Sequence, residues 1–486
     1  MTDERKDERK STLNVTIVGT GYVGLTTGVS LAYLGHKVTC VDNNPEVISK
    51  LNDKVPTIYE EGLEELLQTS YDNLNFSTSL EDHVNSADVI FICVGTPTKD
   101  NGDADTSAVE GVAREIGENL GEGFSEIADA DADAGTEGDS LGNTFKGPVV
   151  VNKSTVPVGT QERVKAVIER SLKSRGIEAG FYTASAPEFL REGVAILDTL
   201  YPDRIVVGTD YREAEEVLER LYRPLLDQDF EDPRVVKRPV GYDKPAFIKT
   251  DPRSAELIKY AANAFLPLKI SFINEIANLA EKLGADIDQV AHGIGADSRI
   301  SASFLGAGVG WGGSCFGKDT RALLYTANEY GEEMGLIKQA RETNYSQRQL
   351  MIEKLMEELK ILRGKTVAVL GLSFKPGTDD LRDSPALDII AKLLELGTFV
   401  RVYDPKAMDN FKAECGELQV DYAEGELSVV EGAHAMILVT DWPEFKELDF
   451  DRVKEKMKEP VVIDGRNIYD KEELKGKGFA YRGVGR

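Results

Sequence analysis

The sequence predicts an α/β chain in which two doubly wound parallel-sheet domains are joined by a central helical domain. Three observations carry that expectation. A β-prone run near the start flows straight into a glycine turn. The same rhythm of strand, turn, helix and strand restarts after Arg363-Gly364. Between the two, Ala255 to Gly284 reads as one long helical pattern. The 486 residues leave room for two or three domains.

The first unit opens with LNVTIV, Leu13 to Val18, followed by GTGYVG, Gly19 to Gly24. A helical pattern from Val23 to Leu34 stops at Gly35, and a second strand, Lys37 to Val41, ends in Asp42. Strand, Gly-x-Gly-x-x-Gly turn, helix, strand and an acidic residue 18 positions past Gly24 make the dinucleotide fingerprint in its structural context. Its glycines let backbone amides close on a pyrophosphate, and Asp42 can accept hydrogen bonds from a ribose. A carboxylate there repels a 2′-phosphate, so NAD is expected over NADP. Ala87 to Pro97 and Gly147 to Thr160 continue the Rossmann pattern, with Thr96, Ser154 and Thr155 after the apolar runs, on the ligand side of such a sheet. Between these runs, Gly117 to Gly142 has no Lys or Arg and little periodicity, and reads as an exposed, largely disordered acidic insertion.

Composition narrows the partners. A net charge of −27 argues against nucleic acid, since an acidic surface repels phosphate backbones. It fits either an ordinary solvated surface or adaptation to high salt, where screening removes the self-repulsion. The four cysteines and four histidines lack ligand or disulfide spacing, so no metal is expected. MTDERKDERKST has no apolar core, and no run approaches a membrane span. No membrane and a cytoplasmic location are the expectations.

Four places carry candidate chemistry. GAGVGWGGSCFGKD, Gly306 to Asp319, sets Cys315 in a glycine-rich loop ending in Lys318 and Asp319. A lone cysteine is as a rule a small buried hydrophobe, so a nucleophile here needs partners elsewhere. Glu188 follows a strand and Pro187, with Phe189 and Leu190 behind it, and is either a surface carboxylate or a base. Lys259 and Asn263 lie four apart on the long helix, whose Pro267 suggests a kink. They share a face and either converge on one ligand or stay solvated and core-satisfied. Thr320 to Leu359 reads as a further helix. The second unit, Thr366 to Pro405, has a degenerate glycine pattern with Lys375 and Arg382 in its loop and a terminal Asp, and could take another nucleotide's phosphates. His434 to Phe445 and Pro460 to Asp470 supply further strands, the latter with Arg466.

Together, GTGYVG, VGTPT, KSTVPVGT, APEFLREG, KYAANAFL, GGSCFGKD and SFKPGTDDLRDSP identify the chain as resembling the UDP-glucose/GDP-mannose dehydrogenase family. The resemblance covers nearly everything outside the tail and the insertion. It implies a four-electron oxidation of a sugar primary alcohol to a carboxylate with two NAD in turn. UDP-glucose is the leading sugar, GDP-mannose or, behind it, another nucleotide sugar such as an N-acetylhexosamine nucleotide the alternative, and a two-electron hydroxyacid-type dehydrogenase or a non-catalytic NAD sensor the more remote rivals. By the same match Cys315 attacks the aldehyde, Lys259 stabilises the oxyanion, Asn263 positions the sugar oxygen, Thr155 and Asp319 hold a water, and Glu188 is the base for thioester hydrolysis. Gly19, Gly21, Tyr22, Val23, Gly24, Asp42, Thr96 and Ser154 hold NAD, with Lys318 and Arg382 bordering the cofactor and the interdomain cleft. Phe189, Leu190, Gly312, Lys375 and Arg466 join Lys259 and Asn263 around the nucleotide sugar, and a homodimer through the central helices is implied.

The expected boundaries are a charged tail at 1–11, an NAD-binding domain at 12–210 with the insertion at about 117–147, a central domain at 211–335, a connecting helix at 336–363 and a nucleotide-sugar-binding Rossmann-like domain at 364–486. Three departures stand out, the first being the insertion that lengthens a connection in the NAD-binding domain. Gly317 replaces the family's usual Pro after Cys-Phe, and Ser301 replaces its usual Gly after Asp-x-Arg-Ile.

Overall fold

The computed structural model describes residues 12–121 and 147–486. The chain divides into two compact units, with the boundary between Tyr260 and Ala261.

The first unit is built on an eight-stranded sheet of order β3-β2-β1-β4-β5-β6-β7-β8. Its strands are β1 (Asn14–Val18), β2 (Lys37–Val41), β3 (Leu74–Ser77), β4 (Val89–Ile92), β5 (Val149–Asn152), β6 (Tyr182–Ser185), β7 (Arg204–Gly208) and β8 (Ala246–Thr250). β4 and β5 are buried along their whole length, as strands covered on both faces are. Alternation splits their side chains: Val89, Phe91, Val149 and Val151 enter one core, Ile90, Ile92 and Val150 the other. β1 to β6 run parallel. β7 meets β6 antiparallel through a single pair, Ser185 with Gly208, and carries β8 parallel to itself. The expected parallel sheet therefore ends in a reversed pair, because the chain from Ser185 to Arg204 turns back beside β6 instead of crossing over.

Helices α1 (Tyr22–Tyr33), α2 (Ser107–Asn119) and α3 (Thr160–Arg175) cover this sheet, and α4 (Pro252–Leu283) follows β8. Gly117, expected to open the insertion, is the crossing point of α2 and α3. A Cβ there would lie 2.8 Å from the Ile168 carbonyl oxygen, so only glycine permits the approach. The remainder of the expected insertion, from residue 122 on, lies outside the described residues, as does the tail at 1–11.

The second unit holds a six-stranded, wholly parallel sheet of order β11-β10-β9-β12-β13-β14. These strands are β9 (Thr366–Leu370), β10 (Phe399–Tyr403), β11 (Val420–Tyr422), β12 (Ala435–Leu438), β13 (Val461–Asp464) and β14 (Ala480–Arg482). α4 is unbroken through Pro267. The helical pattern expected over Thr320 to Leu359 is two helices, α5 (Phe316–Glu329) and α6 (Gly335–Leu359). Gly331, at φ +75°, sits in the break between them. Phe316 to Asp319, expected to end a loop, form the first turn of α5: the Asp319 amide bonds the Cys315 carbonyl at 2.8 Å, and the Thr320 hydroxyl bonds the Phe316 carbonyl at 2.6 Å.

Candidate active site

The glycine turn after β1 divides its labour. Gly19 adopts φ +95° and donates its amide to the Val41 carbonyl at 2.8 Å, which seats the turn on β2. A Cβ on Gly24 would collide with the Gly19 carbonyl, so this glycine serves helix-on-strand packing. Gly21, the N-cap of α1, faces open space: nothing lies within 4 Å of where its Cβ would be. That opening, beside amides at a helix N-terminus, fits a pyrophosphate. Tyr22 and Val23 begin α1. Asp42, at the end of β2, accepts from the Thr20 amide (2.9 Å) and hydroxyl (2.7 Å) and from the Asn44 amide (3.0 Å). It remains partly exposed.

The strand-end residues are tied together. The Thr96 hydroxyl donates to the Thr155 carbonyl at 2.8 Å, and the Ser154 hydroxyl to the Val94 carbonyl at 2.7 Å. Glu188, just past the end of β6, is buried with both oxygens engaged. Oε1 accepts from Lys259 Nζ at 2.8 Å, and Oε2 from the Leu190 amide at 2.7 Å. Two charges removed from water must be paired in this way, and removing either one costs about 3–5 kcal/mol. Phe189 lies beneath two cations, with the Arg204 guanidinium 3.9 Å and Lys259 Nζ 5.4 Å from its ring centre. Lys153, absent from the sequence-based candidates, joins this charged group. Burial pushes its pKa down, opposed by the Glu188 carboxylate. Burial pushes the Cys93 thiol up to about 12, so this cysteine stays a neutral hydrophobe.

In the second unit Cys315 is the N-cap of α5, where the helix dipole favours developing negative charge. Its sulfur lies 3.4 Å from the Ser314 hydroxyl. One turn on, Asp319 is 1% exposed. Its Oδ2 accepts from Asn263 Nδ2 and its Oδ1 from Lys318 Nζ, each at 2.6 Å. The carboxylate thus fixes the amide of Asn263, which follows Lys259 by one turn of α4.

The loop before Cys315 is held by residues that sequence reasoning missed. Asn344 grips Trp311 twice, accepting from its amide at 2.7 Å and donating to its carbonyl at 2.9 Å. Arg348 adds a 2.7 Å bond to the same carbonyl. Gly312 and Gly313 pack against the loop that follows β9: a Cβ on Gly312 would strike the Asp383 carbonyl, and the Gly313 amide bonds the Arg382 carbonyl at 2.9 Å. A Cβ at Gly317 would lie 2.6 Å from Asp383 Oδ2, and Arg348 holds that carboxylate at 3.0 Å. Gly317 is therefore the residue that admits Asp383. Ser301 sits at φ +65°, a conformation in which glycine is unstrained.

Three expected ligand residues are engaged within the protein. Arg382 forms a forked pair with Asp380, with Nη2 to Oδ2 at 2.7 Å. Arg466 donates to three backbone carbonyls: Val439 at 2.6 Å, Gly310 at 3.2 Å and Phe374 at 3.3 Å. It thereby ties the thiol loop to the ends of the second sheet. Lys375 Nζ lies 5.4 Å from the Phe374 ring. Helical spacing could have suggested Asn344 and Arg348, four apart on α6, but nothing local marks their partner loop.

A dinucleotide turn on a mostly parallel sheet, a second, wholly parallel sheet, and a thiol at a helix start backed by a carboxylate–amide–ammonium cluster define a nucleotide-dependent oxidoreductase. Comparison with known proteins makes this specific. Three family models match: the UDP-glucose/GDP-mannose dehydrogenase family NAD binding domain over 13–128 and 139–226, its central domain over 253–346 and its UDP binding domain over 368–471. A UDP-glucose 6-dehydrogenase of Bacillus subtilis is 42% identical over 474 residues, covering 97% of this chain and 93% of the relative. One from Rhizobium meliloti is 42% identical over 480 residues, covering 98% and 100%. Among solved structures, a UDP-glucose dehydrogenase of Pyrobaculum islandicum is similar at TM-score 0.82 and 36% identity, with 98% of each chain covered. The chain belongs to the UDP-glucose/GDP-mannose dehydrogenase family, and its first unit carries that family's NAD-binding domain.

Proposed function

We propose that this protein oxidises UDP-glucose to UDP-glucuronate in two NAD-dependent steps, with Cys315 as the covalent nucleophile. The observation that carries the reading is the thiol at the start of α5, one turn from a buried Asp319 that orders Asn263 and Lys318. Full-length similarity to enzymes named for UDP-glucose supports the sugar.

Gly19, Gly21, Tyr22, Val23, Gly24, Asp42, Thr96 and Ser154 would hold NAD, with Lys318 and Arg382 at its border. When bound, NAD supplies the hydride acceptor for both oxidations. Lys259, held by Glu188, stabilises the oxyanion that develops at C6 and assists transfer of the alcohol proton, and Asn263 positions that oxygen. Cys315 Sγ then adds to the C6 aldehyde, giving a thiohemiacetal. Loss of hydride from that adduct leaves a thioester, and the thiol is a good leaving group from it. Water, placed by Thr155 and Asp319 and deprotonated by Glu188, cleaves the C–S bond. The carboxylate departs and the thiol is restored. Phe189, Leu190, Gly312 and Lys375 line the sugar nucleotide. Arg466, bonded to the Gly310 carbonyl, supports the thiol loop.

A homodimer is part of the proposal. Phe265, Phe272 and Leu279 stand at seven-residue spacing on α4, between 49% and 59% exposed, and make an apolar stripe that a second copy would cover. Sedimentation of the purified protein tests this, and a monomer at micromolar concentration contradicts it.

The decisive assay compares initial NADH production with UDP-glucose, GDP-mannose and N-acetylhexosamine nucleotides, identifying the product of the fastest. A preference for GDP-mannose would replace the sugar assignment without touching the chemistry.

A further inference from the structure

One buried acid has no part in the chemistry above. Glu256 lies on α4, three residues before Lys259, and is 2% exposed. Its Oε2 accepts from the Gly159 amide at 2.6 Å, and its Oε1 from the Gln161 amide at 2.8 Å. Those amides open the N-terminus of α3. The N-cap of α3 is Gly159 itself, at φ +92°, with no side chain to cap anything. Helix starts leave amides that need acceptors, and here a carboxylate from another helix supplies both. Burial pushes the Glu256 carboxyl up to about 7, opposed by those same two amides. An exposed pair repeats the connection one turn earlier, with Arg253 Nε 2.6 Å and Nη2 2.9 Å from the two oxygens of Glu162.

The turn so anchored is the one that counts. Lys153 to Gly159 joins β5 to α3 and carries Ser154 and Thr155. The Thr155 carbonyl in turn holds the Thr96 hydroxyl. One side chain therefore links the cofactor-side turn to the helix bearing Lys259, which itself grips Glu188.

We propose that Glu256 is a positioning residue: by capping α3 from α4 it fixes the Ser154–Thr155 turn against Lys259, so that cofactor site and proton-handling lysine move as one body. The claim rests on the NAD and lysine roles given above. A glutamine keeps the reach but presents an NH2 group to one of the two amides, and an aspartate keeps the charge but is one methylene too short to span both.

The test uses the full chain with Glu256→Gln and Glu256→Asp, measuring three quantities: the Kd for NAD, the Kd for UDP-glucose, and hydrogen exchange across residues 153–165 with and without NAD. For a folded variant we expect at least a tenfold rise in NAD Kd, UDP-glucose Kd within twofold of the parent, faster exchange over 153–165, and loss of the protection that NAD gives this segment in the parent. If Glu256→Gln does not fold, the Asp variant is read in the same way. Unchanged NAD Kd and exchange in a folded variant overturn the proposal. So does an equal weakening of both ligands, which marks a general loss of structure. If the parent binds NAD but turns over no nucleotide sugar, the proposed activity fails while these binding and exchange results still decide the role of Glu256.

Discussion

Two glycine turns in this chain share a grammar and differ in use. After β1, Gly19-Thr20-Gly21 precedes α1, and β2 ends just before Asp42. After β9, Gly371-Leu372-Ser373 follows, and β10 ends just before Asp404. Gly371, like Gly19, has a positive φ, at +91°. The difference lies in the acids. Asp42 is partly exposed with three donors, whereas Asp404 is 1% exposed and saturated. Its Oδ2 takes the Leu372 and Ser373 amides, the Ser373 hydroxyl and the Trp442 indole, and its Oδ1 takes the amides of Lys406 and Ala407. Where the first turn has the open Gly21, the second has Ser373, whose hydroxyl is consumed inside the knot. The same motif thus leaves a partly exposed acid in one unit and makes a saturated structural clasp in the other, so Asp404 has no free oxygen to offer a ribose.

The largest effect should separate the two acids. Replacing Asp404 by Ala strands buried donors and should lower the second unit's stability by about 3 kcal/mol or more in chemical denaturation. Replacing Asp42 by Ala should leave denaturation nearly unchanged while weakening NAD at least tenfold and narrowing its preference over NADP. An Asp404→Ala protein as stable as its parent would erase the contrast. Next come the glycines of the first turn. Gly24→Ala should destabilise by ~2–3 kcal/mol through overpacking, whereas Gly21→Ala should melt like the parent and lose NAD affinity. Equal melting of the two would show that Gly24 is not packed as described.

In the second unit, Asn344→Ala leaves Trp311 amide and carbonyl groups without their partner and should cost ~1–3 kcal/mol. It should also slow the thioester-forming half of the reaction more than the first oxidation, as single-turnover kinetics would reveal. The smallest effect belongs to Ser301→Gly. Removing a Cβ from a left-handed position should stabilise by ~0.5–1 kcal/mol, offset in part by the added freedom of the unfolded chain. A drop in melting temperature would contradict it.

The parts legible in the sequence are those written locally. Apolar runs such as VIFI and VVVN, the GTGYVG turn and its repeat after Gly364 announce both sheets, because strand burial and glycine geometry depend on near neighbours. The start of α5 is not legible: Phe316-Gly-Lys-Asp reads as loop on its glycine, yet tertiary contacts at Asp319 and Gly317 hold it helical. Asp404 looks like a second Asp42, since its six donors come from residues up to 38 positions away. Glu256 reads as any helix glutamate, and Arg466 as a ligand cation, until their backbone partners are seen. Long-range hydrogen bonding is what separates site from scaffold here, and sequence spacing does not carry it.

A four-electron oxidation through a thioester at Cys315 fixes how many NADH form per nucleotide sugar consumed, and counting them is decisive. The parent protein should give two NADH per UDP-glucose, and Cys315→Ala one per aldehyde formed. One NADH per sugar from the parent, or two from Cys315→Ala, would contradict the thioester route.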